Sequence, residues 1–257
     1  MIRLLLLATL LAAPAAHAQA APKAPDQSKL LESIRARYDL PWRSGLTSFA
    51  CTVQFDWVAH LSQSLHRPVP PTDPIVKALA TSHATVRVNA TGPTVATSFQ
   101  VPLPPSAAQG LARSLENVLT SGLNGWLPFS TGSILPVGKT NYLILPTEDG
   151  YRIDLSGEQI VGSLDLDPNY AIKHSTSKLK DETVHLDTTF TPSPKGLELT
   201  HLHTVTTLTG PARHPSDETL DLTYQTVNTV SLPQTLAIQS RGGDLWTIRL
   251  SGCSTAP

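Results

Sequence analysis

The chain has 257 residues, 40% hydrophobic and 15% charged, with 19 basic against 20 acidic side chains and a net charge of −1. This near-neutral balance, with no charge block, excludes the basic stripe of a nucleic-acid binder. The 22 prolines and many Thr and Val residues favour strands broken by turns over a helical bundle, in a chain long enough to bury one substantial core.

Residues 1–20 read as a secretory signal peptide. Arg3 supplies the positive start, Leu4–Ala13 a short apolar run, and Ala16-His17-Ala18 and Ala18-Gln19-Ala20 the small-x-small pattern of a cleavage site. The run is too short to span a membrane, and no later one approaches that length. The mature chain is therefore expected to begin near Gln19 or Ala21, with no cysteine there for a lipid anchor, and to work in the periplasm or outside the cell. Residues 21–26 read as a flexible leader and 27–257 as a single β-rich domain.

Ser28–Tyr38 has helical spacing, with Leu30, Leu31, Ile34 and Tyr38 near one face and Pro41 just past its end. Phe49, Cys51, Val53, Phe55 and Trp57 then alternate with Ala50, Thr52, Gln54 and Asp56, a strand with an apolar odd face. The spacing turns helical again over Val58–Leu65, ended by Pro68, Pro70 and Pro71. Asp73-Pro74 supplies a cap and a first-turn proline for a helix to Ala80, and strands follow near Ala84–Ala90 and Thr94–Val101. Pro104-Pro105-Ser106 opens the clearest helix, 106–121, with Leu111, Leu115, Val118 and Leu119 in one stripe. Gly122 reads as its stop, which leaves Leu123–Phe129 as an apolar loop. In that loop Trp126 and Phe129 either gate a cavity or plug the core.

After Asn141 strands follow one another: Tyr142–Leu145, Tyr151–Leu155, Gln159–Leu166, Tyr170–Ser175, Val184–Phe190, Leu197–Val205, Leu220–Thr229, Gln234–Gln239 and Leu245–Leu250. Short turns join them, which makes an antiparallel meander. The only cysteines, Cys51 and Cys253, are expected to form one disulfide tying the first strand to the last. Neither has the Cys-x-x-Cys context of a redox centre.

His201-Leu202-His203 sets two imidazoles on one side of a strand. If Pro194-Lys195 is a two-residue loop, Phe190 meets Leu199, Thr188 meets His201, Leu186 meets His203 and Val184 meets Val205, and both histidines face the core. If Gly196 belongs to the loop, His203 opposes Asp187, His201 opposes Thr189, and His185 joins them in a cluster of metal-ligand type. The first register buries more apolar surface and is the expected one; no metal site is assigned.

The order of elements resembles the periplasmic lipoprotein-carrier superfamily, of which the LolA-type carriers are best known. Tyr224–Val230 leading into Ser231-Leu232-Pro233, Thr235–Ile238 and Leu245–Leu250 carries the likeness, as do the turns at Asp149-Gly150-Tyr151 and Lys195-Gly196-Leu197. It covers residues 28–250 as architecture. The resemblance implies a curved antiparallel sheet or half-barrel with helices on its concave face, an apolar cavity that shields acyl chains, and no cofactor.

The fold expected is mainly β (α+β), with short helices packed on one side of the sheet. The leading functional expectation is a carrier or binding protein for an apolar ligand, a lipid or the acyl chain of a lipidated protein, with peripheral membrane contact. Its expected lining is Phe49, Val53, Phe55, Leu111, Leu115, Leu119, Trp126, Phe129, Leu199, His201, His203 and Val205. The alternative is a non-catalytic envelope module that binds a protein partner through a strand edge, with a filled core in place of a cavity. A weaker one is a hydrolase, although no Gly-x-Ser-x-Gly elbow, phosphate loop or dinucleotide fingerprint is present.

Overall fold

Period-2 alternation dominates the chain, and it folds accordingly. The computed structural model describes residues 26–98, 104–138, 140–157, 161–208, 215–243 and 245–256. The expected signal peptide and most of the leader lie outside these residues, as do the end of the strand expected at 94–101 and the start of that at 159–166. The first half holds α1 (Gln27–Arg35), β1 (Ser48–Phe55), α2 (Trp57–Ser64), α3 (Pro74–Ala80), β2 (His83–Asn89), β3 (Gly92–Ser98) and α4 (Pro105–Thr131). Then come β4 (Asn141–Thr147), β5 (Gly150–Ser156), β6 (Val161–Leu166), β7 (Ile172–Leu179), β8 (Glu182–Ser193), β9 (Gly196–Leu208), β10 (Ser216–Val227), β11 (Val230–Ser240) and β12 (Leu245–Ala256).

The strands form one 12-stranded antiparallel sheet in the order β3-β2-β1-β12-β11-β10-β9-β8-β7-β6-β5-β4. It consists of two meanders, β1–β3 and β4–β12, joined along a seam where β1 pairs with β12. The disulfide Cys51–Cys253 crosses that seam, with Cα atoms 4.1 Å apart. It lies at a bulge, between the pairs Ala50↔Ser254 and Thr52↔Ser251.

Helix α4 carries the chain from one edge strand, β3, to the other, β4. At 27 residues it is about 40 Å long. Gly122 does not end it. The helix runs on to Gly132, whose φ of 75° supplies the left-handed cap, so Leu123–Phe129 is helical, with Leu123, Trp126, Leu127 and Phe129 buried, and forms no loop. Gly122 serves close packing instead: a Cβ there would lie 2.5 Å from the Ile238 Cδ1 of β11. At Gly125 a Cβ would lie 3.2 Å from the leucine methyls of Leu202 on β9 and Leu220 on β10. The sheet therefore curves around the helix. Pro128 removes one helical N–H, and the Ser130 and Thr131 hydroxyls bond to Leu127 O in the same turn.

Helix α1 ends at Arg35, short of the Tyr38 end that its spacing suggests, because Tyr38 leaves the helix to bridge Leu197 of β9. Asp26 belongs to α1 as its cap, accepting from the backbone N–H of Ser28 and Lys29. No helix among the described residues is long and apolar enough to cross a membrane.

Two substitutions in α4 separate packing from propensity. Gly110 is exposed with open space around it, so Gly110→Ala is expected to stabilise by about 0.5–1 kcal/mol. Gly122→Leu is expected to destabilise by about 2 kcal/mol or more through overpacking against β11. Urea unfolding measures both. Replacing both cysteines by serine, or reducing the bridge, is expected to cost about 2–5 kcal/mol in the same assay.

Candidate functional site

The structure divides the expected lining residues among three places. Phe49, Val53, Leu119, Trp126, Phe129 and Leu199 lie in the main core beneath α4, where Phe49 and Leu119 are 0% exposed. Trp126 stands edge-on to Phe49, ring centroids 6.0 Å apart, and Phe129 meets Phe190 at 5.8 Å. Leu115 belongs to a second cluster with Trp57, Val69, Val76 and Leu79 under α2 and α3, and Phe55 and Leu111 pack against it. These side chains fill the concave face with one another.

His201, His203 and Val205 lie on the opposite, outer face, which corrects the expectation that they face the core. Both expected registers occur in one hairpin. The loop is Pro194-Lys195, with Ser193 opposite Gly196 and Phe190 opposite Leu199. A bulge at Thr200 then slips the pairing by one residue, so Thr189 meets His201, Asp187 meets His203 and His185 meets Val205. Leu202 takes the inward place. Outside, His203 bonds Asp217 at 2.9 Å, His201 bonds Asp221 at 2.6 Å, and Asp187 bonds His174 at 2.5 Å. Asp187 also lies 3.6 Å from His203. These are cross-strand side-chain hydrogen bonds on the outer face, half-buried at His203–Asp217. Among the described residues no group of three or more His, Cys, Asp or Glu is placed to hold a metal ion.

The concavity with converging polar groups is at the end of the sheet, where α1 meets the β8–β9 turn. Arg37–Asp39 runs beside the start of β9, with Asp39 N–H donating to Leu197 O (3.2 Å) and Leu197 N–H to Arg37 O (2.7 Å). Gly196 is required there: its φ is +138°, and a Cβ would lie 2.7 Å from Arg37 O. Tyr38 anchors the segment. Its hydroxyl donates to Tyr170 O (2.6 Å) and accepts from Ile172 N–H (2.9 Å). Burial raises the Tyr38 pKa, against the opposing effect of the Ile172 N–H.

Behind this segment lies a cavity of about 20 Å³, room for one water, bordered by Asp39, Glu198, Tyr224 and Ser231. Ser231 donates to Glu198 (2.5 Å) and Tyr224 to Leu199 O (2.7 Å). Asp39 Oδ2 is buried and has no hydrogen-bond partner among the described residues. Burial holds the Asp39 carboxyl above its usual pKa; Lys195 works against this and Glu198 adds to it. Tyr224 is pushed up chiefly by burial, and also by the charge of Glu198.

In front of Asp39 and Pro41 opens a groove of about 500 Å³. The largely buried Tyr38, Leu40 and Pro41 and the half-buried Val230 form its apolar floor, Arg35, Arg43 and Lys195 bring cations, and Glu32 and Asp39 bring acids. Arg35 is held by Glu32 and by Pro136 O, while Arg43 stands 3.9 Å from Glu32. Lys195 is exposed on its turn. None of these residues is among the lining expected from sequence. They come from segments near positions 35–44, 195 and 230, and only the tight Lys195-Gly196 turn marks one of them in advance.

No protein-family model, no curated protein and no solved structure matches this chain.

The raised Asp39 pKa carries a pH signature. A carboxyl whose folded pKa exceeds its unfolded value of 3.8 favours the fold below that value, and the contribution is lost as pH rises through the folded value. Asp39→Asn is expected to remove this loss. The melting temperature of the variant relative to the parent should climb between pH 4 and pH 7, as followed by circular dichroism.

Proposed function

We propose that this chain is an exported, non-catalytic binding protein for an amphipathic ligand with an apolar tail and an anionic head, such as a fatty acid, taken up in the groove between α1 and the β8–β9 turn. One observation carries the reading: the concave face is filled with its own side chains, whereas a groove of about 500 Å³ joins an apolar floor to unburied cations at its rim. That volume falls within the usual range of small-molecule sites. Leu40, Pro41 and Val230 would cover the tail, each buried methylene contributing about 0.8 kcal/mol. Lys195 and Arg43 would meet the head. The reading keeps the apolar ligand of a carrier and moves it from beneath the helices to the end of the sheet. The disulfide supports export, since such bridges persist in oxidising compartments.

The test is calorimetric titration with dodecanoate below its micelle concentration. Saturable one-to-one binding is expected. Lys195→Glu should weaken it about tenfold, roughly 1.4 kcal/mol, and Val230→Asp should abolish it. Absence of binding, or binding indifferent to both substitutions, overturns the proposal.

A further inference from the structure

The free edge of the sheet carries an independent inference. Strand β4 ends the sheet order, so among the described residues one side of its backbone has no neighbouring strand. The side chain of Gln27 takes that place at a single residue: its amide donates to Ile144 O (3.2 Å) and accepts from Ile144 N–H (2.6 Å). A glutamine amide is a peptide group in miniature, and here it makes both bonds that a partner strand would make. Since Ile144 turns its polar groups outward, so do Tyr142 and Pro146, two residues to either side. Pro146 is therefore at a position where its missing N–H breaks no bond to β5. Leu143 and Leu145 lie exposed on the outer face, 49% and 38% accessible. An edge with exposed leucines is a strand-pairing site unless something guards it, and here the guard is the start of α1, which lies against β4 and carries Gln27.

We propose that β4 pairs with β4 of a second copy, antiparallel about a two-fold axis at Ile144, and that Gln27 is the guard this pairing displaces. The sequence around Ile144 identifies the occupant. It reads Tyr-Leu-Ile-Leu-Pro, whose central Leu-Ile-Leu is the same in both directions. About that axis Leu143 stands opposite the partner's Leu145, in the pair class where side chains approach closest, so every exposed leucine of one edge gains a leucine of the other. Ile144 meets the partner's Ile144 and exchanges with it the bonds Gln27 now makes. Tyr142 N–H finds the partner's Pro146 carbonyl, which needs no N–H in return to accept it. The surface is self-complementary, as a two-fold contact requires.

The test combines sedimentation velocity with cysteine cross-linking on the oxidised chain, whose native cysteines are both bridged. Gln27→Ala is expected to lower the concentration of half-dimerisation about tenfold. Gln27→Glu, which keeps the acceptor and loses the donor, serves if that variant folds poorly. Leu143→Lys on either background should restore the monomer. Mixing Leu143→Cys with Leu145→Cys in a Gln27 variant should give a disulfide-linked dimer that neither gives alone. Monomer throughout in both Gln27 variants overturns the proposal. Cross-linking as strong in each single variant as in the mixture overturns the register.

Discussion

The close contact between α4 and β9–β11 is the constraint on which the rest of the molecule depends. A sheet of 12 strands has an apolar face too wide for its own edges to cover. Helix α4 covers β9–β11 by lying deep in the curve, and depth requires that the helix surface lose its side chains where it meets the strands. Gly122 and Gly125 meet that requirement. The helix gives up about 1 kcal/mol of propensity at each glycine, and the leucines and isoleucine of three strands pack onto its backbone in return. The large residues beside them, Leu119, Leu123 and Trp126, then fill the space on either side. Trp126 reaches Phe49 on β1 while Phe129 reaches Phe190 on β8, so one helix touches strands far apart in the sheet order.

Most of this was legible from residue patterns. The strands after Asn141 announce themselves by alternation and by Gly, Pro and Asn at the turns, and α2 and α3 by their caps and prolines. What the pattern missed has a common cause. Gly122 reads as a stop because local propensity says so, and only the distant Ile238 gives it another use. The helical spacing through Tyr38 is real, yet Tyr38 does better bonded to Tyr170 and Ile172 than in another turn of helix. The bulge at Thr200 leaves no mark in composition. It lets Leu199 and Leu202 both face inward, an odd separation that strict alternation forbids, and it turns His201 and His203 outward.

That bulge also organises the outer face. Register places Arg152, Asp165, His174, Asp187 and His203 in one polar row across β5 to β9. Exposed pairs of this kind contribute little each. Their effect is on strand register, since a one-residue slip would set these groups against the core. The groove at the end of the sheet has a related origin. The same hairpin that bulges at Thr200 turns at Lys195-Gly196, and the backbone of Gly196 lets Arg37–Asp39 lie flat against it. The charged and apolar walls of the groove are thus brought together by a position with no side chain.

The seam between β1 and β12 fixes the order in which the molecule can be completed. Strand β1 lies between β2, its near neighbour in sequence, and β12, which the chain reaches 202 residues later as counted between the bridged cysteines. Before β12 is in place β1 can pair only with β2, which leaves its other edge and the Cys51 thiol without their partners. That edge stays bare until the last strand is delivered. Long-range closure of this kind folds slowly. The thiol has a single possible mate, so the delay carries no risk of a wrong bridge within the chain.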